Sequence, residues 1–135
     1  MRMIPACALV VFAVFVLGGC GSSPSYADDA RAAIKSMSST ISRYDATRPS
    51  DVASTGRACS AALASLESSK NLATATPPAR YKRLGNALRE AYTLAHAGFS
   101  DCAQGAAASN YARMVQADSE LTAANSWIAV ARRLN

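Results

Sequence analysis

From about residue 27 onward, apolar side chains recur at alternating spacings of three and four, and alanine fills many of the recurring positions. That rhythm follows one face of an α-helix, at about 3.6 residues per turn. No sustained alternation of β-branched residues competes with it, and alanine is the strongest helix former. The first helix is expected over about 27–46 on Ala27, Ala30, Ile34, Met37, Ile41 and Tyr44. Asp28 and Asp29 suit its first turn, where the helix dipole favours negative charge. Thr47-Arg48-Pro49 ends it, and Ser50 is the expected N-cap of the second helix. That helix carries Val52, Gly56, Cys59, Leu63 and Leu66, then meets Lys70, which spoils the stripe.

Residues 70–77 read as a connection, with Thr76 as N-cap and Pro77 in the first helical position of the third helix. Tyr81, Leu84, Leu88, Ala91, Ala95, Phe99 and Cys102 form its stripe. The expected end lies near Gly105 and Ser109-Asn110, with a break at Gly98-Phe99-Ser100 as the alternative. The last helix uses Met114, Ala117, Leu121, Ala124, Ile128 and Ala131. Four such stripes with short connections predict an all-α fold, a small antiparallel four-helix bundle in up-down-up-down order, over residues 27–135.

The N-terminal 20 residues have a different character. Arg2 precedes an uncharged apolar run from Ile4 to Leu17. A membrane-spanning helix needs about 20 such residues and a signal-peptide core about 7–15, so the run reads as a cleaved signal. It ends in Leu17-Gly18-Gly19-Cys20, which resembles the lipobox of bacterial lipoproteins. The resemblance covers about the first 23 residues. It implies a signal peptide over 1–19, cleavage between Gly19 and Cys20, and a lipidated Cys20 as the first mature residue. Residues 20–26 would then be the lipidated cysteine and a flexible tether. It further implies a chain anchored to the extracytoplasmic side of a membrane, in the periplasm or at the cell surface. Each buried CH₂ contributes roughly 0.8 kcal/mol, so two or three acyl chains hold effectively permanently.

Thirty alanines against nine aromatic residues make a thin core. Cys59 and Cys102 both fall on apolar stripes, and export would place them in an oxidising compartment. A disulfide between them is expected, with two separate buried thiols as the alternative reading. A simple hairpin register sets Cys102 several turns above Cys59 unless the connection runs along the bundle.

Catalytic groups are sparse. His96 is the single histidine, Asp101 is five residues from it, and no G-x-S-x-G motif is present. Zinc spacings, Glu-x-x-His pairs and phosphate-cradling glycine loops are missing as well. Met37 or Met114 with His96 would be the only haem ligands, and core packing explains the methionines better. No catalytic residue, metal or cofactor is therefore expected.

The charge pattern is more informative. Arg80, Lys82 and Arg83 open the third helix, and Arg132 and Arg133 close the fourth. The bundle topology brings these ends to the start of the first helix, where the tether attaches. A membrane-facing basic cluster for anionic lipid headgroups is thus expected. Export argues against nucleic acid, despite a net charge of +5. Tyr92, Tyr111 and Trp127 flank their seams as interface candidates. The expected function is a non-enzymatic protein-binding or structural module of the cell envelope, with an unidentified envelope protein as partner. The alternative is a bundle binding haem or a small apolar ligand.

Overall fold

The computed structural model describes residues 25–47 and 49–135. The expected signal peptide, Cys7, the Leu17–Cys20 lipobox, the first part of the tether and Arg48 lie outside the described residues. Four helices follow in order: α1 (Tyr26–Ala46), α2 (Val52–Thr74), α3 (Lys82–Ala107) and α4 (Tyr111–Leu134), with a 3-10 turn at Ala79–Tyr81 before α3. They form an all-α four-helix bundle in which successive helices run antiparallel.

Local chemistry fixes three of the helix starts. Ser25 caps α1 through a capping box: its hydroxyl accepts from the Asp28 N–H, and the Asp28 carboxylate accepts from the Ser25 N–H. Asp51, one residue past the expected Ser50, caps α2 by accepting from the Ser54 N–H. Asn110 caps α4 through the Arg113 N–H, and Ser109 before it takes a positive φ of 51° to turn the chain. No side-chain cap precedes α3. Thr76 and Pro77 stay in the connection, which moves the helix start from Pro77 to Lys82.

The core stripe of α1 is as expected from Ala30 onward, with Ala30, Ile34, Met37, Ile41 and Tyr44 buried, while Ala27 is half-buried. In α2 the seam turns away from Leu63 and Lys70: Cys59, Ala62, Leu66, Ser69 and Ala73 are buried, and the helix continues past Lys70 to Thr74. α3 lies at the centre, burying Gly85, Ala87, Tyr92, Gly98, Gly105 and Ala106 beside its expected stripe. A Cβ on Gly98 would sit 2.9 Å from Leu121 Cγ and 3.1 Å from the Ala117 carbonyl oxygen. Gly98 therefore lets α3 and α4 approach closely and does not break the helix. Among the larger side chains, Phe99, Met37, Ile41, Leu66, Leu84, Leu88 and Ile128 fill the interior, with alanines between them.

Cys59 and Cys102 form a disulfide. Cys59 lies five residues nearer the end of α2 than Cys102 lies to the start of α3, an axial offset of about 7.5 Å. Residues 75–81, including the 3-10 turn, take up that offset. No helix among the described residues is long and apolar enough to cross a membrane.

Candidate functional site

The end of the bundle at which α1 begins is built from aromatic and cationic side chains. Tyr26 stacks on Tyr81 at 5.2 Å between ring centroids, and the Arg80 guanidinium lies 4.7 Å above the Tyr81 ring. The Pro77 ring packs where Gly85 leaves room; a Cβ there would come within 2.5 Å of Pro77 Cγ. Burial pushes the Tyr26 phenol above its usual range, against a smaller pull from Arg89. Its hydroxyl is covered and has no hydrogen-bond partner. Lys82 and Arg83 stand exposed beside this stack.

Arg132 and Arg133 are also exposed, but the five expected cluster residues do not share one spot. Arg132 donates to the Ser38 hydroxyl, well along α1 from its start. The Arg132 guanidinium thus reaches the middle of α1 from the last turn of α4, and the cationic surface extends from the tip up this flank.

Charge is segregated along the bundle axis. Arg31, Lys35, Lys70, Arg80, Lys82, Arg83, Arg89, Arg132 and Arg133 belong to the half in which α1 begins, with Asp28, Asp29, Glu67 and Glu90. Two of these acids are paired: Asp28 with Arg31 at 3.1 Å and Glu67 with Lys70 at 3.2 Å. Among the described residues, the opposite half carries Arg43, Arg57 and Arg113 against Asp45, Asp51, Asp101, Asp118 and Glu120. One half is therefore strongly cationic and the other mildly acidic.

The far half is ordered by the disulfide and its neighbours. The Tyr44 ring meets Phe99 edge-on at 5.3 Å, and the Tyr44 hydroxyl lies 3.6 Å from Cys102 Sγ. Beside them a groove of about 220 Å³ is walled by Pro49, Thr55, Tyr111, Met114, Val115 and Asp118. Tyr111 and Val115 are 67% and 69% exposed, one helical turn apart on the same face. Sequence reasoning flagged Tyr111 but missed Val115, because a single apolar residue off the core stripe is common. Their i, i+4 spacing was the available signal. Of the other aromatic candidates, Trp127 is 38% exposed, whereas Tyr92 is buried and belongs to the core. Its burial raises the phenol pKa, helped by the Glu67 charge.

His96 is exposed and lies against the Tyr92 ring at 5.9 Å. Asp101 pairs instead with Arg113 at 2.9 Å. Met37 is sealed in the core, and Met114 lines the far groove. No group of three or more histidine, cysteine or acidic side chains among the described residues is arranged to hold a metal.

Two larger grooves flank α1. That between α1 and α2, about 570 Å³, is walled by Ala32, Ala33, Leu72 and Ala75, with Asp29, Ser36, Ser68, Ser69 and Asn71. Ser36 and Ser68 hydrogen-bond across it at 3.1 Å, while the buried Ser69 hydroxyl has no partner. The groove between α1 and α4, about 660 Å³, is lined by Arg31, Lys35 and Arg132 with Ser38, Ser39 and Ser42. Comparison of the chain with family models, curated proteins and solved structures finds no match.

Proposed function

We propose that this chain is a cell-envelope lipoprotein, exported and lipid-anchored at Cys20, that serves as a non-enzymatic protein-docking module. In this reading its cationic end rests on an anionic membrane surface, and its far end presents Tyr111 and Val115 to a protein partner. The polarity of the bundle carries the reading. Ser25, which starts the fold, is five residues beyond Cys20 and belongs to the end rich in cations. An acyl anchor on Cys20 would hold that end at the lipid surface, where each nearby Lys or Arg contributes about 1 kcal/mol of attraction to anionic headgroups. The exposed Tyr111–Val115 pair belongs to the opposite end of the bundle. Tyrosine on a rigid helix suits an interface because it offers a large contact area at little entropic cost.

Membrane fractionation and acyl-chain labelling of Cys20→Ser in the native cell test the anchor. The reading expects loss of label together with release from membranes or failure of maturation. Unchanged attachment and processing would sink it.

The α1/α2 groove favours one other reading, a bundle that binds a small apolar ligand bearing one hydrogen-bonding group for the orphaned Ser69 hydroxyl. Native mass spectrometry of the purified chain would detect such a ligand as a discrete mass increment. Haem would need a methionine–histidine pair, and none of the three grooves described above is lined by His96.

A further inference from the structure

One residue beyond the core stripe of α1 runs a second stripe: Arg31, Lys35, Ser38 and Ser42. Its 4-3-4 spacing keeps all four side chains on one face, and that face turns toward the end of α4. There Arg132 donates to the Ser38 hydroxyl. The resulting groove of about 660 Å³ joins the first and last helices of the fold, with the buried Ile34 at its floor.

Three cations line this groove and no acidic side chain does; Asn135, the last residue of the chain, lies beside them. The groove on the other flank of α1 shows the contrast, since it is lined by Asp29 and by no cation. Arg31 is tied to Asp28 at 3.1 Å, but both side chains are more than half exposed, and solvent weakens such surface pairs. Arg132 is held toward Ser38 by one hydrogen bond to an exposed hydroxyl. These cations are thus free to turn to a stronger acceptor.

We propose that the α1/α4 groove binds a phosphate ester, with Lys35 and Arg132 as its counter-charges and the Ser38 and Ser42 hydroxyls as donors. The chemistry of the lining selects the ligand. A guanidinium fork from one helix and an ammonium from another suit an anion with several oxygens spread over a tetrahedron. Clustered hydroxyls add neutral donors without adding charge. The groove is much larger than one phosphate requires, and Ile34 offers its floor to the carbon skeleton of the ester. The ester group is common to soluble phosphorylated metabolites and to phospholipid headgroups. The site does not depend on the anchor proposed above.

The test is calorimetric titration of the full chain, purified from its own cell in nonionic detergent, with glycerol 3-phosphate. Saturable binding is expected, weakened at least tenfold by the double variant Lys35→Gln/Arg132→Gln and unchanged by Arg57→Gln in the far half. Circular dichroism checks that the double variant keeps its helix content; both side chains are exposed. Phosphatidylglycerol mixed into the micelles distinguishes the source. Competition with glycerol 3-phosphate identifies a lipid headgroup as the ligand, and its absence identifies a soluble ester. No saturable binding, or equal binding by the double variant, overturns the site. Either result leaves the Cys20 anchor to be judged separately by fractionation.

Discussion

Cys59 on α2 and Cys102 on α3 are bonded with their Cα atoms 6.0 Å apart, and the Tyr44 hydroxyl of α1 reaches the same Cys102 sulfur. One covalent link and one polar contact therefore tie three helices together in the far half. The bond closes a separation of 43 residues, which corresponds to roughly 4 kcal/mol on the chain-entropy estimate. Replacing both cysteines by alanine should lower the melting temperature by on the order of 15–25 °C for a domain of this size. Thermal unfolding with and without reductant measures it. Because both cysteines are buried, reduction of the native protein should be slow and should track unfolding.

Gly98→Ala should destabilise the bundle by about 1–3 kcal/mol through overpacking, even though alanine gains about 1 kcal/mol in helix propensity. The new Cβ meets Leu121 and the Ala117 carbonyl, and backbone cannot move aside as a flexible side chain can. A denaturant midpoint equal to or above that of the parent chain would refute the close approach of α3 and α4.

Stability should fall at both extremes of pH. The Asp28 carboxyl is held below its usual range by hydrogen bonds from the Ser25 side chain and backbone, and Asp51 by the Ser54 N–H. A depressed pKa in the folded state adds stability that is present above the unfolded value, about 3.9, and lost as pH falls through the folded one. Asp28→Asn with Asp51→Asn should flatten this acid limb, read as the unfolding midpoint against pH. Tyr26 and Tyr92 shift the other way, upward through burial. Their contribution is present below the unfolded value of about 10 and is lost as pH rises through the folded one.

Tyr26→Phe removes a covered hydroxyl that has no partner while keeping the ring on Tyr81. It should therefore be neutral or stabilise by up to about 1 kcal/mol. A clear loss of stability in urea would show that the hydroxyl does have a partner.

The helices were legible because alanine propensity and the three-four stripe point the same way, and the disulfide because both cysteines fall on stripes. The seam of α2 was not. Ser69 is buried where Lys70 would continue the expected stripe, and a serine in a seam carries no apolar signal. Nor was the start of α3: Thr-Pro is a strong helix-start pair, but the contact of Pro77 with Gly85 keeps it in the connection. The basic residues at the helix ends were visible, whereas the Arg31–Lys35–Ser38–Ser42 stripe became a groove only once Arg132 was placed beside it. Tyr111 and Val115 stood out only through their exposure.

On the proposed function, the bundle stands with one end on lipid and the other on protein. A photo-crosslinker replacing Val115, compared in intact cells with one replacing Arg83, tests it most directly, with adducts read by mass spectrometry. A recurrent protein adduct from position 115 and lipid adducts from position 83 are expected. Lipid adducts from position 115, or the same protein adduct from both positions, would contradict it.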